Sequence, residues 1–280
     1  MWLFLLIVVL FILVIGSITD IRTREVPDWI SYAGICAGFG LRFIWSSYTW
    51  SSVYIIEGIT GFAVFFALAC ALYYFGQWGG GDSKVLMAVG VCLGLSMDFN
   101  HIILAFVINS IWIGGVYGAV WSVYLAFKNW NSFKKEFMKK LHFQGRFRVV
   151  PLVFLLVIVV LSFLIKINSI IQIFVIMIAV TVPLFYYVAV FVRTVEKVAM
   201  HKFVSASELT EGDWIVNDVF VNKKRICGPS DLGVSLKQIE NLKKSRIKKI
   251  LIKVGIPFVP VLLLGYLFTL FFGNPLFWLI

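Results

Sequence analysis

The chain has 280 residues, 61% of them hydrophobic and only 14% charged, with a mean hydropathy of +0.95. A soluble domain is about half apolar, so a water-soluble fold of this size has nowhere to hide so much apolar surface, and lipid is the expected solvent for most of the chain. The net charge of +11 comes without the aromatic-interleaved basic patch of a nucleic-acid binder; in a membrane protein such an excess more often holds loops on the cytoplasmic side, and no nucleic-acid partner is expected.

Cys36, Cys70, Cys92 and Cys227 are scattered, form no CxxC pair and do not cluster with His101, His142 or His201. No disulfide framework or zinc site is therefore expected, and the cysteines read as small apolar fillers of helices.

A spanning helix needs about 20 predominantly apolar residues. In chain order the candidates are residues 1–19, 29–45, 53–75, 84–96, 102–127, 149–167, 170–192 and 252–272. The first lacks the basic n-region and small-x-small cleavage site of a signal peptide, so it reads as a helix. With the N-terminus outside, the cytoplasmic segments are 20–28, 76–84, 128–148 and 193–253, and they carry 23 of the 25 Lys and Arg residues. Only Arg42 and Lys166 fall elsewhere, each close enough to a helix end to snorkel. The positive-inside rule favours this orientation over its inverse.

The fourth stretch is short, only ~20 Å at 1.5 Å per residue. Either the bilayer thins there, or the helix begins near Gly79 and places Asp82 below the membrane surface, a costly position for a carboxylate and so a functional flag. Residues 193–251 break the apolar pattern. Trp214-Ile215-Val216 and Val219-Phe220-Val221 read as short strands separated by the turn-forming Asn217-Asp218. Ser235 is a candidate N-cap for an amphipathic helix running to about Arg246. The expected fold is an all-α polytopic membrane protein of about eight transmembrane helices with a small α+β cytoplasmic domain. Its segments are 1–127, a membrane core; 128–148, a basic cytoplasmic loop; 149–192, a helical hairpin; 193–251, the α+β domain; and 252–280, the last helix.

Asp20 ends the first helix and Asp82 starts the fourth, both at the cytoplasmic face. Taken singly, an acidic residue at a helix end is more often a solvated terminus. Together, two carboxylates sharing one proton are the arrangement that activates water for peptide hydrolysis: one accepts a proton from water while the other donates. Asp82 closes Gly79-Gly80-Gly81-Asp82. Those glycines let the backbone adopt positive φ and approach a substrate strand closely. Asp20 is followed by Ile21 through Val26-Pro27-Asp28, with Pro27 suited to opening the second helix.

Gly79-Gly80-Gly81-Asp82-Ser83-Lys84 resembles the GxGDxK segment of the GxGD membrane aspartyl proteases. Asp20 through Val26-Pro27-Asp28 resembles the first-aspartate motif of their type IV prepilin and archaeal preflagellin peptidase branch. The resemblance covers roughly residues 1–127 and resumes at Gly255-Ile256-Pro257-Phe258-Val259-Pro260. It implies a six-helix protease core, Asp20 and Asp82 as catalytic residues, no metal or organic cofactor, and prepilin or preflagellin precursors with a short basic leader as substrates. The zinc-type N-terminal domain of bacterial members does not appear in this sequence, so methyltransferase activity is not implied. Val182-Pro183-Leu184 lacks the Ala of the presenilin-type Pro-Ala-Leu motif, and the helix pair 149–192 is extra.

Other residues carry two readings each. Lys84 tunes Asp82 or recognises substrate, or simply snorkels at the interface. Glu25 and Asp28 attract a basic leader, or solvate the loop and favour the start of the second helix. The spacings Gly34/Gly38 and Gly114/Gly118 suit helix packing. The lysine run from Lys134 to Lys140 suits a solvated face near anionic headgroups. The expected function is a membrane aspartic endopeptidase removing a leader peptide at the cytoplasmic face of the plasma membrane. The alternatives are a protease cutting within spanning helices, a proton or ion transporter, for which no inverted repeat is visible, and a non-catalytic assembly factor. The oligomeric state is not legible.

Overall fold

The computed structural model describes residues 1–96, 102–143, 149–165, 168–221, 223–245, 247 and 249–275. The helices are α1 (Trp2–Thr23), α2 (Asp28–Thr49), α3 (Val53–Tyr74), α4 (Gly80–Leu93), α5 (Ile102–Lys128), α6 (Trp130–Phe143), α7 (Val150–Leu164), α8 (Ser169–Val195), α9 (Leu236–Lys244) and α10 (Val259–Phe272). Among the described residues, four helical segments are long and apolar enough to cross a membrane: α1, α3, α5, and α8 together with the π-helical turn Glu196–Met200 that extends it. α7 and α10 are shorter and equally apolar. The chain is thus a helical membrane protein. It divides into two compact units, Met1–Ala119 with Phe203–Ile280, and Val120–Lys202.

In the first unit α4 lies at the centre, packed against α1, α2 and α3, while α10 packs on α1. Leu5, Val9 and Leu13 of α1 share one core with Val85, Val89 and Leu93 of α4, Phe65 of α3, Phe106 of α5 and Tyr266 of α10. Gly34 and Gly38 lay α2 directly on Ala88, Val91 and Cys92 of α4, as their spacing predicts; Gly118 has open space around it, so only Gly114 of the second pair makes a close helix contact.

α4 begins at Gly80, the earlier of the two starts considered, and still has only 14 residues. Its short length is tolerable because protein rather than lipid surrounds it. Its last carbonyls, which no helical N–H can reach, are met by Arg42. The guanidinium donates from Nε to Val91 O (2.8 Å), from Nη2 to Cys92 O (3.0 Å) and from Nη1 to Tyr54 O (2.8 Å), and it pairs with Glu57 at 3.3 Å. Arg42 therefore does not snorkel: its side chain is fully buried. Lys166 and His101, together with the expected helix end at Arg246, lie outside the described residues.

The small domain has a sheet of order β1 (His201–Val204), β5 (Ile250–Lys253), β2 (Trp214–Ile215) and a hairpin of β3 (Val219–Val221) with β4 (Lys224–Cys227). β2 runs antiparallel to β5, with Trp214 opposite Lys253 and Ile215 opposite Ile252. The two expected strands thus do not face each other across Asn217-Asp218; β3 pairs with β4 instead, and Asp218 Oδ1 accepts from Arg225 Nε at 2.7 Å. Ser235 is the N-cap of α9, as expected: its Oγ accepts from Gln238 N at 3.4 Å, and its N–H donates to Gln238 Oε1 at 2.8 Å. Ile215, Cys227, Ile239, Leu242, Ile250 and Ile252 form the domain's own core. Ile252 and Lys253 are strand, not the start of the last helix, which opens later, at Val259. Gly255 and Pro257 separate the two elements.

In the second unit, the segment expected as a solvated basic loop contains α6. Its Phe133 is buried with Ala126 and Val195, and its ring packs against those of Phe137 and Phe191. Lys140 Nζ donates to Arg193 O at 2.8 Å, and Glu136 pairs with Lys197. Lys134, Lys135 and Lys139 remain exposed on the opposite face. α7 packs on α8.

Candidate active site

α1 continues past Asp20 to Thr23 and closes with Arg24 in the left-handed region (φ 62°), its N–H donating to Asp20 O at 3.0 Å. Asp20 therefore stands within the last turn, facing inward and only 5% exposed. One helical turn earlier, Gly16 faces Val259, Val26 and Val85, so α1, the α1–α2 connection, α4 and α10 converge beside Asp20. Its Oδ2 accepts the main-chain N–H of Val259 at 2.9 Å.

Val259 is the first residue of α10, where the first N–H groups have no helical partner and the helix dipole favours negative charge. Sequence reasoning attached no role to this N–H. The signal was present in Pro257 and Pro260, since a proline near a helix start marks where free N–H groups begin.

Asp82 is the third residue of α4. Its Oδ2 reaches back to the N–H of Gly79 at 3.4 Å, the acidic half of a capping box. It is half-buried, and Val26 packs against both its neighbour Gly81 and Gly16, one turn before Asp20. The structure thus brings together the two aspartates singled out by sequence.

The glycines act differently from the expectation of positive φ. Gly79 is extended (φ −75°, ψ 165°), and the positive φ in this connection belongs to Gly76 (φ 66°). Gly81 serves close approach: a Cβ there would lie 3.3 Å from Val26 Cβ and 3.4 Å from Val26 N. Gly80 faces open space.

Lys84 is turned away from a role beside Asp82. Its Nζ pairs with Asp28 Oδ1 at 2.6 Å and lies 5.6 Å from the centre of the Tyr32 ring. Lys84 and Asp28 therefore neutralise each other at a partly exposed position, where an ion pair contributes at most about 1 kcal/mol. Glu25 is exposed on the α1–α2 connection, with no ion pair among the described residues. The ring of Trp78, just before Gly79, packs 4.8 Å from that of Phe258, the N-cap of α10. No group of three or more His, Cys, Asp or Glu gathers among the described residues. The chemistry the arrangement can perform is that of two carboxylates, one accepting a proton and one donating.

Residues 7–119 match the model of the type IV leader peptidase family. Over 80 or 81 residues the chain is similar to preflagellin peptidases of three archaea: 32% identical to that of Methanocaldococcus jannaschii, 40% to that of Methanococcus maripaludis and 33% to that of Methanococcus voltae. These alignments take in 28–29% of this chain and span about a third (34%) of the length of each relative. No solved structure matches the chain. The family resemblance carried by the two aspartate motifs is therefore shown for the part of the chain that holds both aspartates.

Proposed function

We propose that this chain is a membrane aspartic endopeptidase that removes the short basic leader from prepilin or preflagellin precursors, with Asp20 and Asp82 as its catalytic pair. One observation carries the reading. Two carboxylates from motifs far apart in sequence stand at neighbouring ends of α1 and α4, with Val26 against both Gly16, one turn before Asp20, and Gly81, next to Asp82, in the segment that matches the leader peptidase family.

In this mechanism the ionised carboxylate takes a proton from a water molecule as the water oxygen bonds to the scissile carbonyl carbon. The protonated carboxylate gives its proton to the carbonyl oxygen. Proton transfer to the departing amine then breaks the C–N bond and restores the pair. The open space at Gly80 leaves room beside Asp82 for an extended peptide. Glu25, exposed and without an ion pair among the described residues, is the better placed of the two acidic residues to meet a basic leader.

The topology that goes with this function has eight membrane-crossing helices (α1–α5, α7, α8 and α10), the N-terminus outside and the small domain inside the cell. The distribution of Lys and Arg supports it. Incubation of the purified full chain with a panel of prepilin and preflagellin precursors, followed by sequencing of the product termini, tests the function. The expected cut falls between the basic leader and the hydrophobic segment. A cut within the hydrophobic segment, or none in any precursor, would reject the proposal.

A further inference from the structure

We propose that the small α+β domain is a clamp joining the two aspartate-bearing connections, and that Trp214 is the positioning residue through which it holds Asp82. The inference rests on Asp20 and Asp82 being the working pair. It concerns a part of the chain outside residues 7–119, where the family model matches.

The clamp is one two-stranded ladder with a hold at each side. On β2, the indole of Trp214 fills the space a side chain on Gly76 would take. A Cβ on Gly76 would lie 2.8 Å from Trp214 Cη2 and 3.2 Å from Cζ3. Gly76 terminates α3 in the left-handed conformation, with Gln77 N donating to Leu72 O at 2.9 Å, and opens the connection that leads to Asp82. Both φ and the indole thus require glycine there.

On the partner strand β5, the chain runs on through Val254–Pro257 into α10, whose Val259 N–H holds Asp20. Arg24 Nη1 reaches Gly255 O at 3.4 Å from the α1–α2 connection. The β2–β5 register, Trp214 opposite Lys253, therefore sets the span between the hold on the Asp82 side and the hold on the Asp20 side. Tyr73 Oη to Leu232 O at 3.4 Å adds a second tie to the end of α3.

A hydrogen-bonded ladder with a hold on each strand suits this place. Lipid supplies little drive for two helices to keep a fixed separation, while a displacement of ~1 Å at a reacting group can cost ~100-fold in rate. Trp214 also stands outside the domain's apolar core, which Ile215 supplies from the same strand. Its removal therefore loosens the attachment rather than the domain.

The test uses the full chain in detergent or lipid, with two readouts. The first is kcat and KM for precursor cleavage by Trp214→Ala and Trp214→Phe. The second is the distance distribution between spin labels on Arg22→Cys and Gln77→Cys, both exposed, in a chain whose four native cysteines are replaced by alanine. Trp214→Ala is expected to lower kcat by at least ~10-fold, a fraction of what a 1 Å displacement can cost, with KM little changed and a broadened label distribution. Trp214→Phe, which restores a ring against Gly76, should recover most of both. Should Trp214→Ala be lost from the membrane, Trp214→Leu keeps an apolar strand residue without the ring and carries the same expectation.

Unchanged kcat with an unchanged label distribution overturns the clamp and leaves the peptidase reading intact. A raised KM at constant kcat also overturns it, by making Trp214 a substrate contact. If the parent chain cuts no precursor while the alanine variant still broadens the distribution, the peptidase reading fails and the clamp stands.

Discussion

The main-chain N–H of Val259 donates to the carboxylate of Asp20 across 239 positions of sequence, at 2.9 Å. An N–H can only donate, so the oxygen it meets is held as an acceptor, and any proton on Asp20 resides on the other oxygen. Replacing Val259 by proline removes this donor at the first helical position, and also disfavours the helical backbone of Phe258 (φ −106°, ψ −25°) before it. A hydrogen bond to a charged group contributes about 1.5–3 kcal/mol, so Val259→Pro is expected to lower kcat by roughly one to two orders of magnitude. Val259→Ala keeps the N–H and should retain far more activity. Equal kcat values for the two variants would remove the N–H from the mechanism.

Asp20→Asn and Asp82→Asn should each lower precursor cleavage by about 10²–10⁴-fold, the contribution of a positioned acid or base. An asparagine at 20 still accepts the Val259 N–H through its carbonyl oxygen, so the protein should stay in the membrane at the parent level. Turnover at the parent rate in either variant, measured in a processing assay, would end the two-carboxylate assignment.

Gly81→Val is expected to inactivate the protein more than Gly114→Val. The added bulk at 81 meets the backbone of Val26, 3.4 Å from a Cβ, which cannot turn aside, and it displaces Asp82 next door. At 114 the nearest atoms are side-chain tips, Val261 Cγ1 at 3.3 Å and Phe258 Cζ at 3.6 Å, which can shift by a few tenths of an ångström. The comparison is cleavage at equal extracted protein. A more active Gly81→Val would place the sensitive contact at α5–α10 instead.

Arg42→Ala should destabilise the membrane core strongly, because it strands Glu57 and the last carbonyls of α4. Removing one partner of a buried pair costs about 3–5 kcal/mol. A lowered thermal midpoint in detergent is the measurement. Adding Glu57→Gln should recover part of the loss, and a midpoint equal to the parent's in the single variant would contradict the capping role.

Reporters fused within 128–148 and 193–250 should read cytoplasmic and an N-terminal reporter external, because those segments hold 19 of the 25 Lys and Arg residues. A cytoplasmic N-terminal signal would move both aspartates to the face opposite the uncleaved precursors.

What the sequence disclosed depended on how local the signal was. The apolar stretches mark the helices to within a few residues, and the two aspartate motifs are legible because each is a short string. The start of α10 was misplaced because Ile250–Lys253 is as apolar as the helix after it; only Gly255 and Pro257 separate strand from helix. α6 was hidden by its lysines, which outweigh Phe133 and Phe137 in any count of charge although Lys134, Lys135 and Lys139 stand exposed. Arg42 on the carbonyls of α4, Lys84 on Asp28 and Trp214 on Gly76 are contacts between distant segments, and no spacing in the chain announces them.

The guanidinium of Arg42 makes α4 a ruler with a fixed zero. Its far end is tied to Val91 O and Cys92 O, and Asp82 stands at the other end. The depth of that carboxylate is therefore counted in residues from the anchor, at about 1.5 Å each. One added turn would carry it outward by about 5.4 Å, farther than a single peptide unit of an extended chain, which advances about 3.3–3.6 Å. Under the proposed function, a substrate moored in the bilayer by its own apolar segment would have its bond chosen by level: α4 would be long enough to meet one peptide unit and too short or too long for its neighbours.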